Sequence, residues 1–422
     1  FYQDRIRQIE YESNFSTVCS IARSNQLSGG RGWFRVSTKY RHGTHEQYIC
    51  LEEVPDAFSI YTGPHKELDC SDAERIWEIY YITKAQYKRS YGQKRLDEAV
   101  AFADDQAANM TDWVDVGTSG QMMQIARKYQ KEIKKRVLYC AADGVTGIPA
   151  DEIDVNAAMS MGMLAVDENG KPIQRDEDVV EVWCYLIDGA HILKKEKFIV
   201  DEIPIVPVWG LCTVLGGVQR HFSMGNRAKE PQRLLNLAIS NLAALVGAQS
   251  KAQFMMDLAQ IEKQHLNDWA GLTNAVLLLY NRRDKDGNDL GIPQQVVNPP
   301  QIAAVIEMYR EAVEGIKAAY GVYDAQLGRT RSDQSGKAIE SLKEQGDQVN
   351  FHFLANEAVA HKRLGQIMVK MIQLVDPVGS TRMVRTEAGK THAVPLGQPF
   401  KHYRTGKEAL IQPNSDVELG IT

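Results

Sequence analysis

The sequence predicts an α+β fold, with strands gathered in the first half and long helices in the second. Three observations carry this. Residues 31–209 hold short strand-like runs punctuated by glycine and proline. Residues 230–374 hold three apolar stripes at helical spacing. A compact insertion, residues 251–297, separates the first two of those stripes.

The elements follow in chain order. Ile6, Ile9, Phe15, Val18, Ile21 and Ala22 give residues 4–26 a helical spacing, ended by the breaker cluster Ser28-Gly-Gly-Arg-Gly32. Trp33 to Ser37 alternates as a strand, and Tyr48 to Val54 reads as a second. Ser71 to Trp77 opens a strand or a helix, Thr83 to Tyr91 is helical, and the polar stretch 97–112 is a loop or short helix. Gln121 to Cys140 is strand-rich in spite of its charge. Residues 145–178 are charged, with an Asn169-Gly170 turn signal. Strands at Val179–Ile187 and His191–Phe198 precede the apolar run Ile203–Trp209.

The second half changes character. Glu230 to Gln249 is a helix with Pro231 at its start and Leu234, Leu235, Ala238, Leu242 and Leu245 on one face. The insertion contains Gln253-Phe-Met-Met256, Ala275 to Tyr280, a polar turn at Arg282–Gly291, and Gln294-Gln-Val-Val297; Pro299 and Pro300 close it. A helix from Gln301 to Tyr320 carries Ile302, Val305, Ile306, Tyr309, Val313 and Ile316. After a polar break, Gly321 to Gly336, a very long helix runs from Lys337 to Leu374 and stops before Pro377. Its stripe is Ile339, Leu342, Val349, Phe353, Leu354, Val359, Leu364, Ile367 and Met371. Asp416-Val-Glu-Leu419 reads as a strand returning to the first half.

Composition bounds the function. A chain of 422 residues, 44% hydrophobic and 24% charged, can build two or three ordinary domains. The net charge of −5 gives no basic excess, so any contact with nucleic acid must be local or weak. The richest apolar helix, Leu234 to Val246, is interrupted by Asn236, Ser240 and Asn241, which excludes a membrane span there. No signal peptide opens the chain. It begins in a helical pattern and ends in a strand-like one, so a longer parent chain is expected. The cysteines, at 19, 50, 70, 140, 184 and 212, form no paired spacing and read as reduced thiols of a cytoplasmic protein.

No catalytic motif survives inspection. Gly328 to Lys337 ends like a phosphate loop, but position 331 is Arg where the motif needs Gly, and Ala338 offers no hydroxyl to magnesium. Asp284 to Asp289 resembles a calcium loop, but Gly287 stands two positions early and Gln295 replaces the final Glu; a polar hairpin tip fits better. His42, His45 and Cys50 are too few for a structural zinc site and read as loop residues. No cofactor and no metal are expected. The break at 321–337 differs, being longer than most helix connections. Its Asp324, Arg329, Arg331, Asp333 and Lys337 leave a net +1. With Gln326 and Gln334, these groups suit fleeting phosphate contact, although an ordinary solvated linker would also be polar.

Several stretches in a fixed order carry a resemblance. They are Gly30-Arg-Gly-Trp-Phe-Arg-Val-Ser-Thr-Lys-Tyr40, Ser71-Asp-Ala-Glu-Arg75 after Ile60-Tyr-Thr-Gly-Pro64, Glu202-Ile-Pro-Ile-Val-Pro-Val-Trp-Gly210, Pro231-Gln-Arg-Leu-Leu-Asn236, Leu277-Leu-Leu-Tyr-Asn-Arg282 and the paired helices of 301–372. Together they resemble the portal proteins of tailed double-stranded DNA bacteriophages, of the short-tailed podovirus type. The resemblance covers nearly the whole chain.

It implies a non-enzymatic ring subunit, a dodecamer around a DNA channel at the unique capsid vertex of the virion, assembled in the host cytoplasm. The wing would be 1–217, the first stem helix 218–250, the clip 251–297, the second stem helix 298–322, the tunnel loop 323–337, the long wing and channel helix 338–374, and the returning wing strands 375–422. The helical crown of the family is absent from this sequence. Gln326, Arg329, Arg331, Gln334 and Lys337 would face double-stranded DNA, and Arg282, Arg283, Lys285 and Asp286 would meet partners at the clip. Those partners would be the terminase large subunit, which hydrolyses ATP, and a tail adaptor or head-completion protein. Major capsid and scaffolding proteins would bind elsewhere, and no membrane is involved. The competing expectations are another phage structural or scaffolding protein, or a soluble hydrolase or transferase.

Overall fold

Where the sequence suggests one helix over 4–26 there are two, Tyr2–Glu12 and Phe15–Gly29. Asn14 separates them in the left-handed conformation, at φ 50°, which asparagine tolerates better than most residues. The second helix ends at Gly30, φ 77°, where a Cβ would sit 2.7 Å from the Phe222 carbonyl carbon. The computed structural model describes residues 1–106, 114–115, 122–151, 153–167, 170–216, 218–249, 253–270, 278–296, 302–322, 336–404 and 406–411. The chain divides into two compact units, 1–223 with 352–422, and 224–351.

In the first unit, strand Arg31–Tyr40 pairs antiparallel with Gln47–Glu53 on one side and Ile205–Trp209 on the other. Helix Phe15–Gly29 lies so close that a Cβ on Gly32 would overlap the Ala22 carbonyl oxygen. All five residues of Ile205–Trp209 are buried, which explains its continuous apolar run. A second antiparallel sheet takes Ile60–Thr62, Arg75–Thr83, Met122–Cys140, Gln174–Ile187 and Ile192–Lys197 in that order.

Met122–Cys140 is thus one long strand, and its charges have a structural reason. Met123, Ile125 and Tyr129 face the core. On the opposite face Lys128 sits between the rings of Trp77 and Tyr185, at 5.1 and 5.6 Å, with Lys195 4.4 Å from Trp183. Of the two readings open for the polar stretch 97–112, the described residues take the helix, Gln93–Gln106. Its Leu96 and Ala99 pack with Tyr87, Met123 and Ile125.

The long helix is Gly336–Val375, and its residues from 352 onward belong to the first unit. Ala360, Leu364, Ile367 and Met371 are buried in one core with Ile9, Val18, Phe34, Val36, Val206 and Val208. The buried line advances by steps of three and four from Phe353. Leu354 and Val359, expected on the same stripe, fall outside it and are exposed. Just past the helix, the fully buried Asp376 accepts from Arg5 Nε at 2.8 Å. Arg382 Nε lies 2.8 Å from its other oxygen without hydrogen-bond geometry, and Arg382 also bonds Glu46 and the Val375 carbonyl. Hairpin Thr381–Arg385 with Thr391–Pro395 follows. The strand expected at 416–419 lies outside the described residues.

Helical structure, expected from 218, begins only at Lys229. Residues 218–222 instead form a strand paired with Leu211–Leu215 across a turn at Gly216, φ 60°. This pairing seats His221 flat on Trp209, ring centroids 3.6 Å apart. Burial, then the charges of His65 and Arg31, lower the His221 pKa to about 4. Between its ordinary value of 6.5 and about 4, the unfolded chain binds a proton that the folded chain refuses. Stability of the first unit therefore falls as pH falls through that window. His221→Phe should flatten this limb, read as urea midpoints that change less between pH 7 and 4.5 than those of the unmodified chain.

Candidate functional site

The second unit holds two helices joined through the insertion, together with residues 336–351 of the long helix, and the two helices pack through small residues. Lys229–Gln249 buries Ala238, and Ile302–Tyr320 buries Ala312. A Cβ on Gly315 would lie 3.4 Å from Pro231 Cβ, ordinary contact with no spare room. The expected face of the first helix is the covered one, since Leu234, Leu235, Leu242 and Leu245 are all partly buried around Ala238. On the second helix Ile302, Val305, Val313 and Ile316 are partly covered, but Ile306 and Tyr309 stand exposed. Leu237, Ile239 and Val246 are exposed on the first. Ion pairs Glu307–Arg310, 3.5 Å, and Glu314–Lys317, 3.0 Å, decorate the second helix. Spaced i, i+3 on the surface, each stabilises by only a few tenths of a kcal/mol, on the order of 0.2–0.5. These helices therefore keep apolar surface that their own pairing does not use.

The insertion starts and ends with a two-stranded ribbon, Gln253–Met255 against Gln294–Val296. Gln260 organises what lies between. Its side chain is buried, donates to the carbonyls of Leu290 and Gly291 at 2.9 and 3.0 Å, and accepts from the Asp257 amide. Trp269 packs edge-on to Phe254 at 5.3 Å and donates its indole N–H to the Leu279 carbonyl.

The polar tip is a hairpin turn. Asp284 N donates to Asn288 O, Gly287 takes φ 85°, and Leu290 N donates to Arg282 O. Asp289 accepts from the Gly291 amide and from Arg282, which hold its carboxyl below the usual range. Its oxygens are thus engaged by the turn itself. The structure brings Arg282, Arg283, Lys285 and Asp286 together on this exposed tip. Arg282 is spent on Asp289, 3.3 Å away. Among the described residues, Arg283, Lys285 and Asp286 have no ion-pair partner, so their charges face water. Gln326, Arg329, Arg331 and Gln334 lie outside the described residues, as does the side chain of Lys337.

Elsewhere, His42 and His45 are exposed on a turn while Cys50 points inward to Ser37 Oγ at 3.0 Å, so that trio is not assembled. A cleft of about 690 Å³ is lined by Arg35, Glu52, Arg127, Lys194, Glu196 and others. Glu52 there is matched by Arg35 and Lys39, and the adjoining Glu78 by Arg35 and Arg127. Two arrangements escaped the sequence. Gln260 gave no signal, because one buried glutamine looks like any surface one. The cluster Cys19, Glu357 and His361 gave half a signal, an i, i+4 Glu–His pair, whose third member is remote in the chain.

A helix pair with uncovered apolar faces, a polar-tipped insertion between them and a returning helix suit a protein that associates with copies of itself, and comparison supplies the family. Residues 1–416 match the phage P22-like portal protein family, to which the chain belongs. It is similar to the portal protein of Acyrthosiphon pisum secondary endosymbiont phage 1, 26% identical over 394 residues, with 89% of this chain and 52% of that protein covered. The chain spans about half the length of that curated relative. None of the described helices is long and apolar enough to cross a membrane.

Replacing Gln260 with Ala leaves the carbonyls of Leu290 and Gly291 without its donors, at a local cost of about 1–3 kcal/mol. Amide exchange across residues 281–291 should accelerate about tenfold for each 1.4 kcal/mol lost, read by mass spectrometry.

Proposed function

We propose that the chain is a subunit of the portal ring, the non-enzymatic channel through which double-stranded DNA enters and leaves the capsid. The observation that carries this is the family match over residues 1–416, which spans both compact units and the insertion. The uncovered apolar side chains Leu237, Ile239, Val246, Ile306 and Tyr309 support it, since neighbouring copies in a closed ring would cover them. The ring is a dodecamer at one vertex of the virion, assembled in the host cytoplasm.

Residues 1–217 and 375–422 form the wing. The stem is 218–250, helical from Lys229, with 298–322, and the clip is 251–297. The long helix 338–374 runs beside the channel. The exposed tip of the clip, with Arg283, Lys285 and Asp286 uncommitted, meets the terminase large subunit during packaging and a tail adaptor or head-completion protein afterwards. Major capsid and scaffolding proteins meet the wing. ATP hydrolysis belongs to the motor.

The tunnel loop, 323–337, faces DNA through Gln326, Arg329, Arg331, Gln334 and Lys337. Its net +1 is a physical advantage for a channel. Each phosphate neutralised adds salt-dependent affinity, and DNA held by many such contacts would not slide. The double substitution Arg329→Ala with Arg331→Ala tests this. Rings of normal mass should form, while packaging or retention of DNA in particles changes. Unaltered packaging and retention would remove the functional content of the tunnel-loop assignment.

A further inference from the structure

We propose that Cys19, Glu357 and His361 form a binding site for one thiophilic divalent cation of the zinc class. All three belong to the first unit. Cys19 projects from helix Phe15–Gly29, while Glu357 and His361 stand four residues apart on helix Gly336–Val375, the spacing that brings side chains together on one helix face.

The distances fit a metal. Cys19 Sγ is 3.3 Å from Glu357 Oε1 and 3.8 Å from His361 Nε2, and His361 Nε2 is 3.5 Å from Glu357 Oε1. Zinc bonds of about 2.3 Å to sulfur and about 2.0–2.1 Å to nitrogen and oxygen place tetrahedral ligands about 3.3–3.6 Å apart. The three atoms thus already outline one face of such a tetrahedron. His361 is partly exposed, so water can supply the fourth ligand.

The surroundings fix the ligands in place. Phe15 meets the His361 ring edge-on at 5.6 Å and Phe34 tilts against it at 5.4 Å. Glu357 is buried, and Arg23 donates to Oε2 from Nε at 3.1 Å and to Oε1 from Nη2 at 2.6 Å. A cation at Oε1 leaves the Nε–Oε2 bond intact, the outer-sphere hydrogen bond that ligating carboxylates commonly keep. The guanidinium charge opposes the cation, so Arg23 limits affinity as well as holding the carboxylate. On binding, the Sγ–H bond breaks, the Sγ–metal bond forms, and the proton leaves to solvent. No electron is transferred. The competing account is that thiol and imidazole only complete the hydrogen bonds around the Arg23–Glu357 ion pair. That account predicts no bound metal.

The test uses the whole chain, stripped with a chelator and titrated with Co²⁺. A thiolate-to-cobalt absorption should rise to saturation at one equivalent per chain and be displaced by Zn²⁺. Cys19→Ser and His361→Ala should each weaken binding about tenfold or more and remove or blunt the band, whereas Cys50→Ser leaves it unchanged. Arg23→Gln should tighten binding several-fold. Circular dichroism controls for folding, and His361→Gln serves if either variant is misfolded. No band in the unmodified chain, or one that persists in the cysteine and histidine variants, overturns the site.

Discussion

The fold depends on a helix that arrives late. Residues 1–53 and 200–208 build a core with one side open, and Ala360, Leu364, Ile367, Met371 and Ile372 close it. Each of the Leu, Ile and Met side chains removed from water stabilises by about 1.5–3 kcal/mol. The first unit is therefore completed only after the chain has travelled through residues 224–351 and come back. That makes the second unit an insertion anchored at both ends, with helices Lys229–Gln249 and Ile302–Tyr320 as its outgoing and incoming limbs. An insertion so anchored can carry an exposed charged tip without interrupting the sheets of the first unit.

Asp376 secures the end of the returning helix. It has no solvent exposure and lies between Arg5 from the start of the chain and Arg382 from the hairpin that follows. Taking such charges out of water is costly, and the group adds little net stability over apolar packing. Removing one partner would leave a buried charge unpaired. The cluster therefore disfavours alternative placements of the N-terminal helix.

Much of this was legible because it is periodic. The long helix and its stop before Pro377, the covered face around Ala238, and the buried run Ile205–Trp209 all follow from spacing. What was missed depends on partners. The break at Asn14 interrupts a continuous apolar pattern that gives no warning of it. The resemblance puts residues 218–222 inside a helix, because their strand partner, Leu211–Leu215, is visible only once Gly216 makes the turn. Leu354 and Val359 extend a plausible stripe that the 3.6-residue turn carries out of the core. For the site, the charged tip at 282–286 was readable as a turn, whereas Gln260 beneath it was not, since a buried hydrogen-bond hub has no sequence period. The Cys19–Glu357–His361 group joins the two ends of the first unit and needs the fold to exist.

The account's central claim is that the apolar faces of the second unit exist for copies of the same chain. Leu237, Ile239, Val246, Ile306 and Tyr309 remain exposed after the helices have paired, and the proposed ring would cover them. The most direct measurement is the mass of the purified chain in solution across a concentration series, with negative-stain images of the same samples. The account predicts a large closed species that appears as rings with a central hole. A stable monomer at every concentration and salt condition would contradict it.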